Sequence, residues 1–356
     1  MSRLKWLLVI LPLGLLALYI SLFTSPGKLW QALSHAQPLW VAAAFATHLV
    51  FFILYGALYE YGFKAVGVSA NTWRLIPVYF ASIYLNTVAP SGGTSGASVF
   101  VADARSRGEP PARAAIGTVI VLIADLATLL PFIAATVWVL NGRTDLQTFE
   151  ILGIAAYVAF IGGLIGAVVV ARRREAAVRS GLEWFSRQVA RAWGWFHRDP
   201  PLSDDWAEIQ SRDMCFAARA IVNHPLTVTR LAALGVATHV ANLAGLYLLF
   251  VAFGQPLTFG PAIAGFTLGI VFFVVAVVPQ GVAAVEGVMG LVFTSLGMHP
   301  ATAFGIIIAF RGMNYWLPLL LGVFFLHRLT RVVRQGRERP HGNETAARTA
   351  QTEGGG

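Results

Sequence analysis

Val88-Ala-Pro-Ser-Gly-Gly-Thr-Ser-Gly96 breaks an apolar stretch that runs from Trp73 to Asp103, and Val277-Val-Pro-Gln-Gly281 breaks a second that runs from Pro261 to Gly297. Proline removes a backbone donor and clashes with the preceding helical turn, and glycine weakens a helix. In a bilayer such a break survives only where its freed backbone groups are buried in protein or line an aqueous cavity. An ordinary kinked span is the alternative for each stretch. The two breaks are in register at one constant offset: Val88 with Val277, Pro90 with Pro279, Gly92 with Gly281 and Val99 with Val288. Beyond them, at the same offset, Pro111, Ala112 and Ala114 match Pro300, Ala301 and Ala303.

The bilayer itself is implied by composition. Of 356 residues, 56% are hydrophobic and only 12% charged, with a mean hydropathy of +0.66; ordinary globular chains carry roughly 25% charge. So little polar surface cannot keep a protein of this size in water. A span needs roughly 20 apolar residues, and six stretches supply them: Lys5–Phe23, Leu39–Leu58, Ala112–Leu140, Phe149–Ala171, Leu226–Phe253 and Ala301–Leu326. The first reads as a retained signal anchor rather than a signal peptide cleaved near Ala36, because its apolar run is long and that site lies well beyond it. A single cysteine, Cys215, excludes an internal disulfide and a thiolate zinc cluster. No metal-ligand spacing, phosphate loop or nucleophile elbow is present, so no cofactor, no metal and no enzyme activity are expected.

The net charge of +9 comes from arginines placed between or just beyond apolar segments, where they fix topology and touch lipid headgroups rather than nucleic acid. Nine lie in the central loop between Arg172 and Arg219, and five between Arg328 and Arg339; Arg105, Arg107 and Arg113 follow the first broken stretch. The links Thr24–Pro38, Asn141–Thr148 and Gly254–Gly260 carry only Lys28 and Arg143. If both broken stretches crossed the membrane, the arginine-rich central loop would face outside. If both are re-entrant hairpins, every arginine-rich segment and both termini face the cytoplasm, as positive charge prefers. The expected fold is therefore an all-α polytopic membrane protein with six full spans and two opposed re-entrant hairpins. Such an inverted repeat places a binding site near the midplane, where the hairpin tips meet. Residues 1–330 form a single transmembrane domain. Its loop 172–222 holds an amphipathic helix on the cytoplasmic leaflet or, with equal weight, a small cytoplasmic helical pair; residues 331–356 form a basic, then disordered, tail.

Ionisable residues inside a membrane are costly and usually functional. Asp125, Glu286 and Arg311 are three such residues. Arg311 offers a planar fork for a phosphate, with Glu286 or Asp125 holding it in place; the alternative is a buried ion pair that pins a hairpin to the last span. Around the first break, Asn86, Ser91, Thr94, Ser95 and Ser98 with the amides of Gly92, Gly93 and Gly96 suit an anion at a restarting helix, or else satisfy the broken backbone. Gln280 and Gly281 stand at the second break, and Asn314 and Tyr315 follow Arg311 by one turn. His48, His239 and Asn242 read as hydrogen bonders between helices, and Glu60, Trp30, Trp40 and Trp73 as interface anchors.

Asn86-Thr-Val-Ala-Pro-Ser-Gly-Gly-Thr-Ser-Gly-Ala, Pro279-Gln-Gly-Val-Ala-Ala-Val-Glu286 and Arg311…Tyr315-Trp316-Leu-Pro318 resemble motifs of the transmembrane region of lysylphosphatidylglycerol synthases. That family of flippase-like membrane proteins also occurs without the synthase domain. The resemblance covers roughly residues 5–330. Ala97 replaces the acid of the family's Gly-Glu step, Gln280 replaces the first glycine of its Pro-Gly-Gly pattern, and apolar residues replace the Glu-Arg pair before Asp125. The resemblance implies a domain that moves a lipid between leaflets: an anionic, aminoacyl or glycosylated phospholipid, or a polyprenyl-phosphate carrier. Lysyl-lipid synthesis is not expected, since the chain ends soon after the last span. Two other readings stay open: a scaffold for a lipid-linked glycosyl- or aminoacyltransferase, and a transporter of small solutes or ions. Membrane lipids are the expected partners, in the cell membrane; a homo-oligomer and a lipid-modifying enzyme partner remain open.

Overall fold

The computed structural model describes residues 27, 34, 36–89, 94–141, 146–194, 205, 207–209, 211, 212, 215, 216, 225–255, 259–276 and 281–326. These residues are helical, with no strand among them. In chain order the helices are α1 (Pro38–Lys64), α2 (Thr72–Val88), α3 (Thr94–Ser106), α4 (Pro111–Thr128), α5 (Leu130–Asn141), α6 (Thr148–Arg173), α7 (Glu175–Gly194), α8 (Pro225–Ala252), α9 (Phe259–Val275), α10 (Ala284–Ser295) and α11 (Pro300–Arg311). The last continues through a π-helical turn at Gly312–Trp316.

Five helices are long and apolar enough to cross a membrane: Pro38–Lys64, Pro111–Asn141, Thr148–Val170, Pro225–Ala252 and Pro300–Leu326. They coincide with five of the six expected spans; Lys5–Phe23 lies outside the described residues. The chain is an all-α polytopic membrane protein. Several helices begin at proline, where the fixed φ suits a first turn and the missing amide has no partner to lose.

The two broken stretches become pairs of short helices. With 13 and 12 residues, α3 and α10 reach about 18–20 Å at 1.5 Å per residue, against a hydrocarbon core of about 30 Å. Each packs on its partner, α2 or α9, as a hairpin. Displaced by the offset that superposes Pro90 on Pro279, the bounds of α1, α2 and α3 fall within two residues of those of α8, α9 and α10, and Pro111 falls on Pro300. The chain therefore repeats one unit: a span, a hairpin and a second span. Counting α1, α4 with α5, and α6 as crossings, α8 starts from the opposite face and the second unit is inverted.

α1 and α8 pack along one another and join the units. Small residues permit the approach: a Cβ at Gly245 of α8 would collide with the His48 ring, and one at Gly62 of α1 with the Val121 side chain of α4. One apolar core gathers α5, α8, α9, α10 and α11, including Phe250, Phe266 and Phe293. A second fills the first unit, where the Tyr59 and Phe100 rings stack at 4.1 Å.

In the central loop α7 is amphipathic as expected, with Trp184 left 59% exposed. Arg179 bonds Glu183 at 2.8 Å and pairs with Glu208 at 3.6 Å. Cys215 is buried against Val168 and Val178. The described residues around Glu208 and Cys215 thus lie against the α6–α7 corner.

Candidate functional site

The helix restart at the second break is built from backbone. Gly281 and Ala283 both adopt left-handed conformations, with φ of 62° and 70°. Gly281 has no room for a side chain, since a Cβ would lie 2.7 Å from Val285 Cγ2 and 3.0 Å from Phe273 Cα. The two turns start α10 so that Glu286 falls in its first turn, where the unpaired amides favour a carboxylate.

Arg311, at the end of α11, meets it there. Its Nε donates to Glu286 Oε1 at 2.5 Å, with the two side chains 6% and 1% exposed. The guanidinium carbon lies 4.5 Å from the centre of the Tyr315 ring, which it faces. Tyr315 Oη lies 3.4 Å from Thr87 Oγ1, in the last turn of α2 beside the first break. Around these groups Ile83, Tyr84, Val88, Val282, Tyr315, Trp316 and Leu319 form one apolar cluster. Val88 and Val282 flank the two breaks, so the helix ends beside both breaks and the last span come together around the ion pair. Glu286 Oε2 and Asn314 Oδ1 are buried with no hydrogen-bond partner among the described residues.

Two sequence candidates are turned elsewhere. Asn86 Oδ1 accepts from the Gly96 amide at 2.7 Å and the Ser95 hydroxyl at 2.9 Å, stitching α2 to α3. A Cβ at Gly96 would collide with that carboxamide. Asn86 and Ser95 thus bond to each other across the break. Thr94 begins α3; Ser91, Gly92, Gly93 and Gln280 lie outside the described residues. Asp125 is not the carboxylate that holds Arg311. It accepts from Tyr55 Oη at 3.4 Å and lies 3.6 Å from His239 Nε2. That same nitrogen is 2.9 Å from the Asp125 carbonyl.

Sequence reasoning missed Tyr55, Tyr79 and Thr87. Tyr79 packs on Tyr55, with ring centres 4.6 Å apart, and also on the Tyr315 cluster, so it connects the two polar groups. Tyr79 and Thr87 are two helical turns apart on α2, a spacing that could have shown their shared face. Also missed was Asp103, fully buried between Arg74 at 3.0 Å and Arg107 at 3.2 Å. Glu60, taken as an interface anchor, pairs with Lys64 and caps α2 through Thr72. Among the described residues no group of three His, Cys, Asp or Glu side chains is placed to hold a metal ion.

Residues 8–322 match the family described as the lysylphosphatidylglycerol synthase TM region. The chain belongs to that family. A relative, the UPF0104 membrane protein of Methanothermobacter thermautotrophicus, is 23% identical over 327 residues, covering 88% of this chain and 93% of the relative. No solved structure matches the chain. Glu286, Arg311 and Tyr315 all lie within the part that the lysylphosphatidylglycerol synthase TM-region family covers.

Proposed function

We propose that this protein moves a phosphate-bearing lipid between the two leaflets of the cell membrane, with both termini in the cytoplasm and without catalysing a covalent step. The observation that carries this reading is the Glu286–Arg311 pair, buried where the helix ends beside both breaks pack on the last span. A buried ion pair adds little stability over apolar residues of the same size, so its position at the junction of two helix breaks points to use rather than to packing. Arg311 presents a charge that cannot be titrated away and a geometry matched to phosphate. Glu286 holds the guanidinium in place and discriminates headgroups by charge. The acyl chains stay in the bilayer while the headgroup passes the tips.

The test is leaflet exchange of labelled lipids in proteoliposomes across a series of headgroups. The reading predicts headgroup-dependent exchange that is lost in Arg311→Ala and Glu286→Gln. Equal exchange of every headgroup, or none above empty liposomes, contradicts it.

A scaffold role for a lipid-linked glycosyl- or aminoacyltransferase has one observation in its favour, the exposed Trp184 on α7. In that case deleting residues 175–194 abolishes the partner's activity while Arg311→Ala leaves it intact.

A further inference from the structure

Asp125 is a half-buried acid of a different kind from the buried Glu286. Glu286 faces a guanidinium that never loses its proton. Among the described residues Asp125 has no Lys or Arg ion pair; the basic group beside it is His239, at 3.6 Å. The Thr128 hydroxyl donates to its backbone carbonyl at 2.9 Å, and among the described residues the other titratable groups near it are phenols. Tyr55 of α1 donates to it, and Tyr59 of α1, Tyr79 of α2 and Tyr157 of α6 lie close enough to feel its charge. Tyr157 Oη is itself held by the Leu126 carbonyl at 2.8 Å. Among the described residues no side-chain hydrogen bond or ion pair joins its carboxylate to α3 or α5.

A carboxylate at bilayer depth with no Lys or Arg paired to it among the described residues can shed its charge by taking up a proton. Chains of Asp, Glu and His of this kind carry protons in pumps and transporters. Two further features fit. The Asp125 side chain keeps 21% exposure where that of Glu286 keeps 1%. Asn314 stands in the second unit where Asp125 stands in the first, at the offset that relates the two breaks. The inverted unit thus has an amide that cannot titrate, which leaves one such acid per chain. His239 is already oriented, because its Nε2 bonds the Asp125 carbonyl at 2.9 Å.

We propose that Asp125, held by His239 and Tyr55, is a proton-binding site that couples lipid movement to a proton gradient. The coupling rests on the translocation reading above; the proton site does not. The step is a proton transfer alone: a proton leaves the water on one face, bonds to an Asp125 carboxylate oxygen, and returns to water on the other face as access alternates.

Two measurements on the reconstituted full chain test this. Infrared titration reads the site: a protonated-carboxyl C=O band is expected in the wild type and absent in Asp125→Asn. Should that variant fail to fold, ¹³C-aspartate labelling serves instead: the label shifts the band in the wild type and leaves it unshifted in Asp125→Glu. Identical wild-type and variant spectra overturn the proton site. Leaflet distribution under a one-unit pH gradient, with membrane potential clamped, reads the coupling. One proton per lipid sets the steady-state leaflet ratio at about tenfold. A ratio of one with exchange present overturns the coupling and leaves translocation standing. No exchange with any lipid overturns translocation and the coupling with it, and the infrared titration still decides the site.

Discussion

Glu286 and Arg311 would each be costly to bury alone, and their 2.5 Å contact makes them interdependent. Removing one partner of such a pair costs about 3–5 kcal/mol, because the other is left uncompensated. Arg311→Ala should therefore lower the thermal unfolding midpoint in detergent as well as stop exchange, and stability alone cannot assign its role. Asn86 makes a cleaner case. Asn86→Ala removes two bonds across the first break, worth about 1 kcal/mol each, and Gly96→Ala drives a methyl into the same carboxamide. Both should lower the unfolding midpoint, and pairing them should cost less than the sum of the singles, since they break one contact. At this scale the sequence exposed Arg311 and Glu286, because an ionisable residue in an apolar run has nowhere to hide. It did not expose the bond from Asn86 to Gly96, which depends on how the chain folds back across the break. Nor did it expose Asp103, whose pair with Arg74 depends on how α3 packs against α2.

The hairpins depend on backbone that only certain residues tolerate. Ala283 holds a φ of 70°, a conformation that costs an L-residue about 1–2 kcal/mol. Ala283→Gly should be neutral or stabilising within about 1 kcal/mol, because relief of strain offsets glycine's extra chain entropy. Gly281→Val has the opposite sign: it adds a branched side chain at a φ of 62° against Phe273 and Val285. Thermal unfolding of the two variants side by side checks the contrast. Span positions and both breaks were legible because apolar runs and Pro-Gly interruptions are local signals. The turn at Leu129 that parts α4 from α5 and the π-helical turn at Gly312–Trp316 were not. Pro131, which removes an amide donor in the first turn of α5, is a local signal for the first that went unread inside an apolar run, and the π-helical turn beside Arg311 is of a kind frequent at functional sites.

Across the whole molecule the repeat of span, hairpin and span fixes a topology that can be tested. α6 runs from Thr148 to Arg173 and leads into α7. In a Cys215→Ser background, Thr148→Cys should react with a membrane-impermeant thiol reagent from outside the cell, and Arg187→Cys only after the membrane is opened. Labelling of both from one face would mean that α6 does not cross. The constant register between the two breaks and the placement of arginines made this architecture readable in advance. What they could not supply is which buried acid Arg311 binds, because both Asp125 and Glu286 lie at suitable depth and only the packed helices separate them. The central claim is that the Glu286–Arg311 pair serves lipid passage rather than holding the fold. Replacing both residues together, Arg311→Met with Glu286→Met, removes the charges without leaving either unpaired, and such exchanges are often neutral or stabilising. The deciding measurement is headgroup-dependent leaflet exchange by this double variant in proteoliposomes, beside the wild type. The account predicts a monodisperse, stable protein with exchange reduced to that of empty liposomes; a stable double variant that still exchanges lipid at the wild-type rate would contradict it.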